Sequence, residues 1–220
     1  MMFSAKYKNI LLDLDGTLTD PAEGITKSIA YALESMGILV EDLNDLKRFI
    51  GPPLKDTFIT AYGFDESAAF QAVSKYRERF AAVGLYENQL FEGIPSLLES
   101  LKLEGYDLFL ATSKPEVFAI KILQHFQLDS FFSFIGGAAL DESRPSKGHV
   151  IDYVMKKSNL TLVEKCVMIG DREHDVLGAK RFNMSSVGVL YGFGDREELE
   201  QAGADYIVDS IPELERLLMG

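Results

Sequence analysis

The chain has 220 residues, 47% of them hydrophobic and 25% charged, with a single cysteine and a formal net charge of −12. That balance describes an ordinary globular protein, and its acidity argues against nucleic acid, where affinity comes mainly from neutralised phosphates. No apolar run reaches the length of a membrane span. Cys166 alone excludes an internal disulfide, and residues 1–8 lack the apolar stretch of a signal peptide, so a cytoplasmic setting is expected.

The first apolar run, Ile10-Leu11-Leu12, reads as a buried strand that ends at Asp13. Residues 18–91 then show helical periodicity and no convincing strand. Ile25, Ile29, Ala32, Leu33 and Met36 share a face that Gly37 terminates. Leu54, Phe58 and Ile59 open a second helix that stops near Gly63, and residues 68–82 make a third. An insert of that length is too long for a loop, so residues 19–91 are expected to form a separate helical cap. Residues 1–18 and 92–220 are then the core. In the second part, short apolar runs precede Thr112, Gly136-Gly137, Gly170-Asp171, Tyr191-Gly192 and Asp209. Helical patterns at 116–126 and 147–157 lie between some of them. Alternation of this kind predicts an α/β fold with a parallel sheet wrapped by helices. Such sheets bind ligands at the carboxyl ends of their strands, where Asp13, Thr112 and Asp171 stand.

Asp13-Leu14-Asp15-Gly16-Thr17 places two carboxylates close together after a strand. Gly16 allows a sharp turn, so the two can take different roles, one as nucleophile and one as general acid. Their repulsion calls for a cation or a raised pKa. An Asp-Gly surface turn would give the same string. Gly170-Asp171-Arg172-Glu173-His174-Asp175 sets two carboxylates four residues apart, which a helix beginning at once would stack on one side. Oxygen ligands of that kind suit Mg²⁺. An acidic helix start that complements the dipole is the plainer account. His174 reads as a helix-surface residue, because imidazole does not suit hard Mg²⁺. Cys166 reads as a small core residue. Tyr191-Gly192-Phe193-Gly194 either shapes a loop near the site or is a simple glycine turn.

Together these blocks resemble the haloacid dehalogenase-like superfamily, and within it the phosphoglycolate-phosphatase-like phosphatases, over residues 10–218. The DxDGT block matches Asp13 to Thr17, the Thr that ends an apolar strand matches Thr112, and GDxxxD matches Asp171 and Asp175. The third motif, a lysine, is best matched by Lys147, with Arg144 as the rival. Many relatives carry Lys-Pro-x-Pro there, whereas this chain has Arg-Pro-Ser-Lys.

The resemblance implies that Asp13 attacks phosphorus and forms an aspartyl phosphate, and that Asp15 protonates the leaving oxygen and then activates water. It implies that Thr112 binds the phosphoryl group and Lys147 offsets charge. Mg²⁺ would be held by Asp13, the backbone carbonyl of Asp15 and Asp171, with Asp175 supporting the metal waters or Lys147. Gly16, Thr17, Ser113 and Lys114 are further candidates for phosphate binding. Arg48, Gly51, Pro52 and Lys55 are candidates for a cap loop that faces the substrate.

The expected activity is hydrolysis of small phosphate monoesters, phosphoglycolate or a nucleoside monophosphate, by a monomer or homodimer. Neither a nucleic acid nor a membrane partner is expected. A phosphomutase or a non-catalytic binding protein of the same fold are the alternatives. A dehalogenase would not need the acid at Asp15.

Overall fold

The computed structural model describes residues 6–141 and 143–220. In chain order the elements begin with β1 (Asn9–Leu12), β2 (Thr19–Asp20), α1 (Ala22–Ser35), a 3₁₀ turn (Leu43–Phe49), α2 (Leu54–Tyr62) and α3 (Glu66–Arg79). A π turn (Phe80–Gly84), β3 (Gln89–Leu90), α4 (Ile94–Leu103), β4 (Asp107–Pro115), α5 (Glu116–His125) and β5 (Phe132–Ala138) follow. The chain continues through α6 (Lys147–Lys157), β6 (Cys166–Gly170), α7 (Glu173–Lys180), β7 (Ser185–Val189), α8 (Arg196–Ala202), β8 (Tyr206–Val208) and α9 (Ile211–Met219). They fall into two compact units. One holds the chain up to Thr19 and from Leu90 onward; the other is Asp20–Gln89.

The first unit carries a six-stranded sheet in the order β5-β4-β1-β6-β7-β8. Each neighbouring pair is parallel. Ile10, Leu11 and Leu12 are all buried, as a strand is when helices cover both faces of its sheet. Leu11, Phe109 and Met168 from three adjacent strands pack with Val150, Ile151 and Val154 of α6. Full burial of each such side chain stabilises the fold by about 1.5–3 kcal/mol. Cys166 lies wholly inside this layer as a free thiol. Helix ends follow local chemistry: Asp195 accepts from Glu198 N at 2.8 Å to start α8, and Gly203, at φ 75°, ends it. Ser210 caps α9, which has proline in its first turn.

The second unit is helical. Thr26, Ile29 and Leu33 of α1 are buried, and α1 stops before Gly37 at φ 81°. Asp65 caps α3 by accepting from Ala68 N at 2.8 Å. Gly24 and Gly84 bring α1 against the π turn so closely that a Cβ on Gly24 would stand 2.0 Å from Gly84 O. Arg79 pairs with Glu87 at 2.8 Å and donates to Ser28 Oγ at 3.1 Å, which ties α3 to α1 and to the segment after the turn. In place of an entirely helical insert, the structure has two-residue strands, β2 and β3, that pair where the chain passes from one unit to the other. Strands that short leave no alternation to read. Among the described residues no helix is long and apolar enough to cross a membrane.

Candidate active site

The sheet register builds the site. β1 lies between β4 and β6, with Leu12 opposite Leu110 on one side and Ile169 on the other. The residues just beyond these strand ends therefore gather: Asp13 after β1, Asp171 after β6, and Thr112 within the last part of β4. Asp13 N donates to Ile169 O at 2.9 Å, which continues the β1–β6 ladder up to the carboxylate. Leu14 O then accepts from the amides of Thr17, Leu18 and Thr19, so the chain after Asp13 folds into a tight loop. Gly16 takes φ 83° there, and a Cβ on it would stand 2.1 Å from Asp171 Oδ2. Glycine is required at that position for both reasons.

Asp13, Asp171 and Asp175 each offer a carboxylate oxygen within 4.8 Å of the others. All three are buried, as is Lys147 at 4% exposure. Lys147 Nζ lies 2.8 Å from Asp13, 2.8 Å from Asp175 and 2.9 Å from Ala111 O. Three carboxylates against one ammonium leave a formal charge of −2, which a divalent cation would balance. The donor set is hard oxygen throughout and fits Mg²⁺.

Burial raises the Asp171 carboxyl to about 8, and the neighbouring Asp175 and Asp13 charges add to the effect. Burial raises Asp175 to about 6 against the opposing pull of Lys147. Burial alone would lower Lys147, but Asp13 and Asp175 outweigh it and the ammonium is held more firmly than usual.

Asp15 is set apart from this cluster. Its Oδ2 is ion-paired with Lys114, and its Oδ1 is buried with no hydrogen-bond partner. Burial pushes its pKa up and Lys114 pulls it down, with burial ahead. Thr112 Oγ1 accepts from Lys114 N at 3.2 Å, which leaves its own O–H free to donate. The two motif carboxylates thus face different lysines, Asp13 facing Lys147 and Asp15 facing Lys114.

Of the other candidates, Thr17 is buried and donates to Asp171 Oδ1 at 3.3 Å, and Ser113 is half-buried in β4. Arg48, Gly51, Pro52 and Lys55 belong to the helical unit. Arg48 is exposed and lies over the Phe49 ring at 4.8 Å, Gly51 takes φ 108°, and Lys55 pairs with Glu66 at 3.9 Å. Arg144 does not approach Asp13: it bonds Gly137 O at 3.0 Å and pairs with Glu116 at 3.4 Å.

The stacking of Asp171 and Asp175 on one helix is corrected. Helix α7 begins at Glu173, so Asp171 precedes it, and Asp175 turns back to accept from Arg172 N at 3.2 Å. The strand end and the helix bring the two carboxylates together, rather than helical periodicity.

Sequence reasoning left the role of residues 191–194 open. Here Phe193 N donates to Asp171 Oδ2 at 2.9 Å and Tyr191 Oη to Thr17 O at 3.2 Å. A Cβ on Gly192 would stand 2.3 Å from Gly16 O, and one on Gly194 1.9 Å from Asp171 O. Two glycines so close together after a strand were the available signal.

The family model for haloacid dehalogenase-like hydrolases matches residues 10–189. The chain belongs to the haloacid dehalogenase-like hydrolases. Among its relatives, a 5'-nucleotidase of Pseudomonas aeruginosa is 53% identical over 194 residues, covering 88% of this chain and 87% of that one. The tyrosine-protein kinase PtkA of Mycobacterium tuberculosis is 38% identical over 198 residues, covering 90% of this chain and 67% of that one. A crystal structure from Clostridium acetobutylicum, described as a predicted phosphatase, superposes with a TM-score of 0.93 at 51% identity, over 96% of this chain and 97% of that one. This chain has the fold of that structure, a mostly parallel α/β sheet with flanking helices.

Proposed function

We propose that this chain is a Mg²⁺-dependent phosphatase that hydrolyses small phosphate monoesters through an aspartyl phosphate on Asp13. The observation that carries the reading is the separation of the two motif carboxylates onto different lysines. Asp13 is paired with the Lys147 ammonium at 2.8 Å and stands at the end of β1, where a carboxylate can act as nucleophile. Asp15 has a raised pKa and a buried, unpartnered oxygen, which suits a group that gives a proton to the leaving oxygen and takes one from water afterwards. Thr112 has an O–H available for the transferred phosphoryl group. Asp13, Asp171 and Asp175 are the residues that would hold the metal, with Lys147 between two of them. Bound Mg²⁺ would supply positive charge for the developing charge on the phosphoryl oxygens.

Nucleoside 5'-monophosphates are the first substrate class to test, because the relative at 53% identity is named a 5'-nucleotidase. Phosphoglycolate, which the sequence resemblance suggests, is the second. The helical unit is assigned the role of cap, with Arg48 and Lys55 bearing on substrate choice. A relative named a tyrosine-protein kinase shows that proteins of this similarity carry names for phosphoryl transfer to an acceptor other than water. An inorganic-phosphate release assay over nucleoside monophosphates, phosphoglycolate and p-nitrophenyl phosphate, with and without chelator, tests the reading. Release that needs Mg²⁺ is expected. No phosphate release from any ester, or full release in excess chelator, would overturn it.

A further inference from the structure

Arg144, the rival of Lys147 for the motif's basic residue, has its guanidinium engaged away from Asp13. We infer that the Arg144–Glu116 pair is a positioning clamp that sets Lys147 against Asp13 and Lys114 against Asp15. The inference rests on the phosphatase reading above.

Arg144 stands three residues before Lys147, in the segment between β5 and α6. Its Nε donates to Gly137 O at 3.0 Å, its Nη2 meets Glu116 Oε2 at 3.4 Å, and its guanidinium lies over the Tyr153 ring at 4.0 Å. Three different elements, β5, α5 and α6, are thereby held by one planar group. A lysine cannot copy that arrangement, since it has neither the fork nor the flat face.

Glu116 completes the connection. The same Oε2 accepts from Gly137 N at 3.3 Å, so one peptide segment of β5 is gripped by both partners. Glu116 is also the first residue of α5, two residues after Lys114. Gly137 lies directly against this turn: a Cβ there would stand 2.6 Å from Lys114 O and 2.7 Å from Glu116 N. The clamp therefore reaches both lysines through short covalent runs, one forward to Lys147 and one back to Lys114.

Core packing does not replace it. Val150, Ile151 and Val154 fix the body of α6. Lys147 opens the helix, and its first turn depends on how the preceding segment enters. Ser146, the residue before it, caps no backbone amide of that turn; its hydroxyl lies 2.7 Å from His149 Nδ1 instead. Arg144 itself touches no reacting group and is a positioning residue.

The test compares Arg144→Ala, Arg144→Lys, Glu116→Gln and the Arg144→Ala/Glu116→Gln double variant by kcat, KM and Tm on p-nitrophenyl phosphate with saturating Mg²⁺. Small displacements of catalytic groups cost up to roughly 10²-fold, so a fall in kcat of about tenfold is expected for Arg144→Ala, with KM changed by less than about twofold. The double variant should be no slower than Arg144→Ala, because both changes open one clamp. Arg144→Lys keeps the charge and the stem. It should fold as the parent does and still lose several-fold in kcat, which keeps the test valid if Arg144→Ala fails to fold. Parent-like kcat in Arg144→Lys and Glu116→Gln, or multiplicative losses in the double variant, would overturn the clamp. An inactive parent would instead overturn the phosphatase reading.

Discussion

Lys147 Nζ stands 2.8 Å from Asp13 Oδ1, inside a site where both side chains are almost wholly withdrawn from water. Removing the ammonium leaves Asp13 and Asp175 buried without the charge that faces them both. Lys147→Met should therefore lower kcat/KM by roughly 10²–10³-fold, the scale of losing one preorganised electrostatic partner. Breaking a buried pair also costs stability, of order 3–5 kcal/mol before the carboxylates relieve it by taking up protons. Steady-state kinetics and thermal unfolding check the two effects together. A variant with parent-like turnover would remove Lys147 from the chemistry.

The carboxylates of Asp13 and Asp15 are separable by leaving group. Asp13→Asn should abolish turnover on every ester, since an amide is a poor nucleophile. Asp15→Asn should cost roughly 10²–10⁴-fold on an alkyl ester, whose leaving oxygen needs a proton, and much less in the first step with p-nitrophenyl phosphate. A phosphorylated Asp13 should then accumulate, visible as a burst of p-nitrophenol and as added mass after rapid quench. Equal losses on both kinds of ester, with no trapped phosphoryl group, would show that Asp15 is not the proton carrier.

The metal site should be sensed as a pH-dependent rise in melting temperature. Asp171, held at about 8, keeps its proton in the metal-free fold at a pH where the unfolded chain, near 3.9, has lost it. A carboxyl whose folded pKa is raised favours the folded state at low pH, and that contribution falls as pH rises from about 4 to about 8. Mg²⁺ must displace the proton throughout this window. The Mg²⁺-induced shift in Tm should thus grow from pH 6 to pH 8 and level off above that. A shift of equal size at both pH values would contradict the assignment of Asp171 as a ligand.

Two glycines with similar backbones give a controlled comparison. Gly16 and Gly37 have φ of 83° and 81°, but a Cβ on Gly37 meets nothing within 4 Å while one on Gly16 meets the Asp171 carboxylate. Gly37→Ala should cost about 1–2 kcal/mol, from the left-handed backbone alone. Gly16→Ala should cost more and should also abolish the Mg²⁺-induced Tm shift, because Asp171 must move. Retention of that shift in Gly16→Ala would mean that the approach of the loop to Asp171 does not set the metal geometry.

Much of the sheet was legible because strands covered on both faces are short uninterrupted apolar runs, as at residues 10–12 and 167–169. Asp13, Thr112 and Asp171 could be grouped for the same reason: they end such runs, and open parallel sheets present their strand ends together. What escaped was set by contacts distant in sequence. The approach of Lys114 to Asp15 spans 99 residues, and that of Phe193 to Asp171 depends on where the chain goes after β7. Helical periodicity suggested that Asp171 and Asp175 share a face, but it could not show that the helix starts only at Glu173. The crossings at β2 and β3 were invisible as strands because two residues are too few for a period.

The position of β1 has a consequence for how the protein comes into being. The strand that leads to Asp13 is made before either of its ladder partners, Asp107–Leu110 on one side and Cys166–Ile169 on the other. Pairings so distant in sequence form slowly and only after the intervening chain exists. A nascent chain emerging from the ribosome therefore carries Asp13 at the end of an unpaired apolar segment until residues 107–110 and 166–169 have been made. Asp171 and Asp175 come later still. The carboxylates of Asp13, Asp171 and Asp175 come within reach of one another only when β6 closes against β1. Until then Ile10, Leu11 and Leu12, which the finished sheet buries, stay open to water and to other chains.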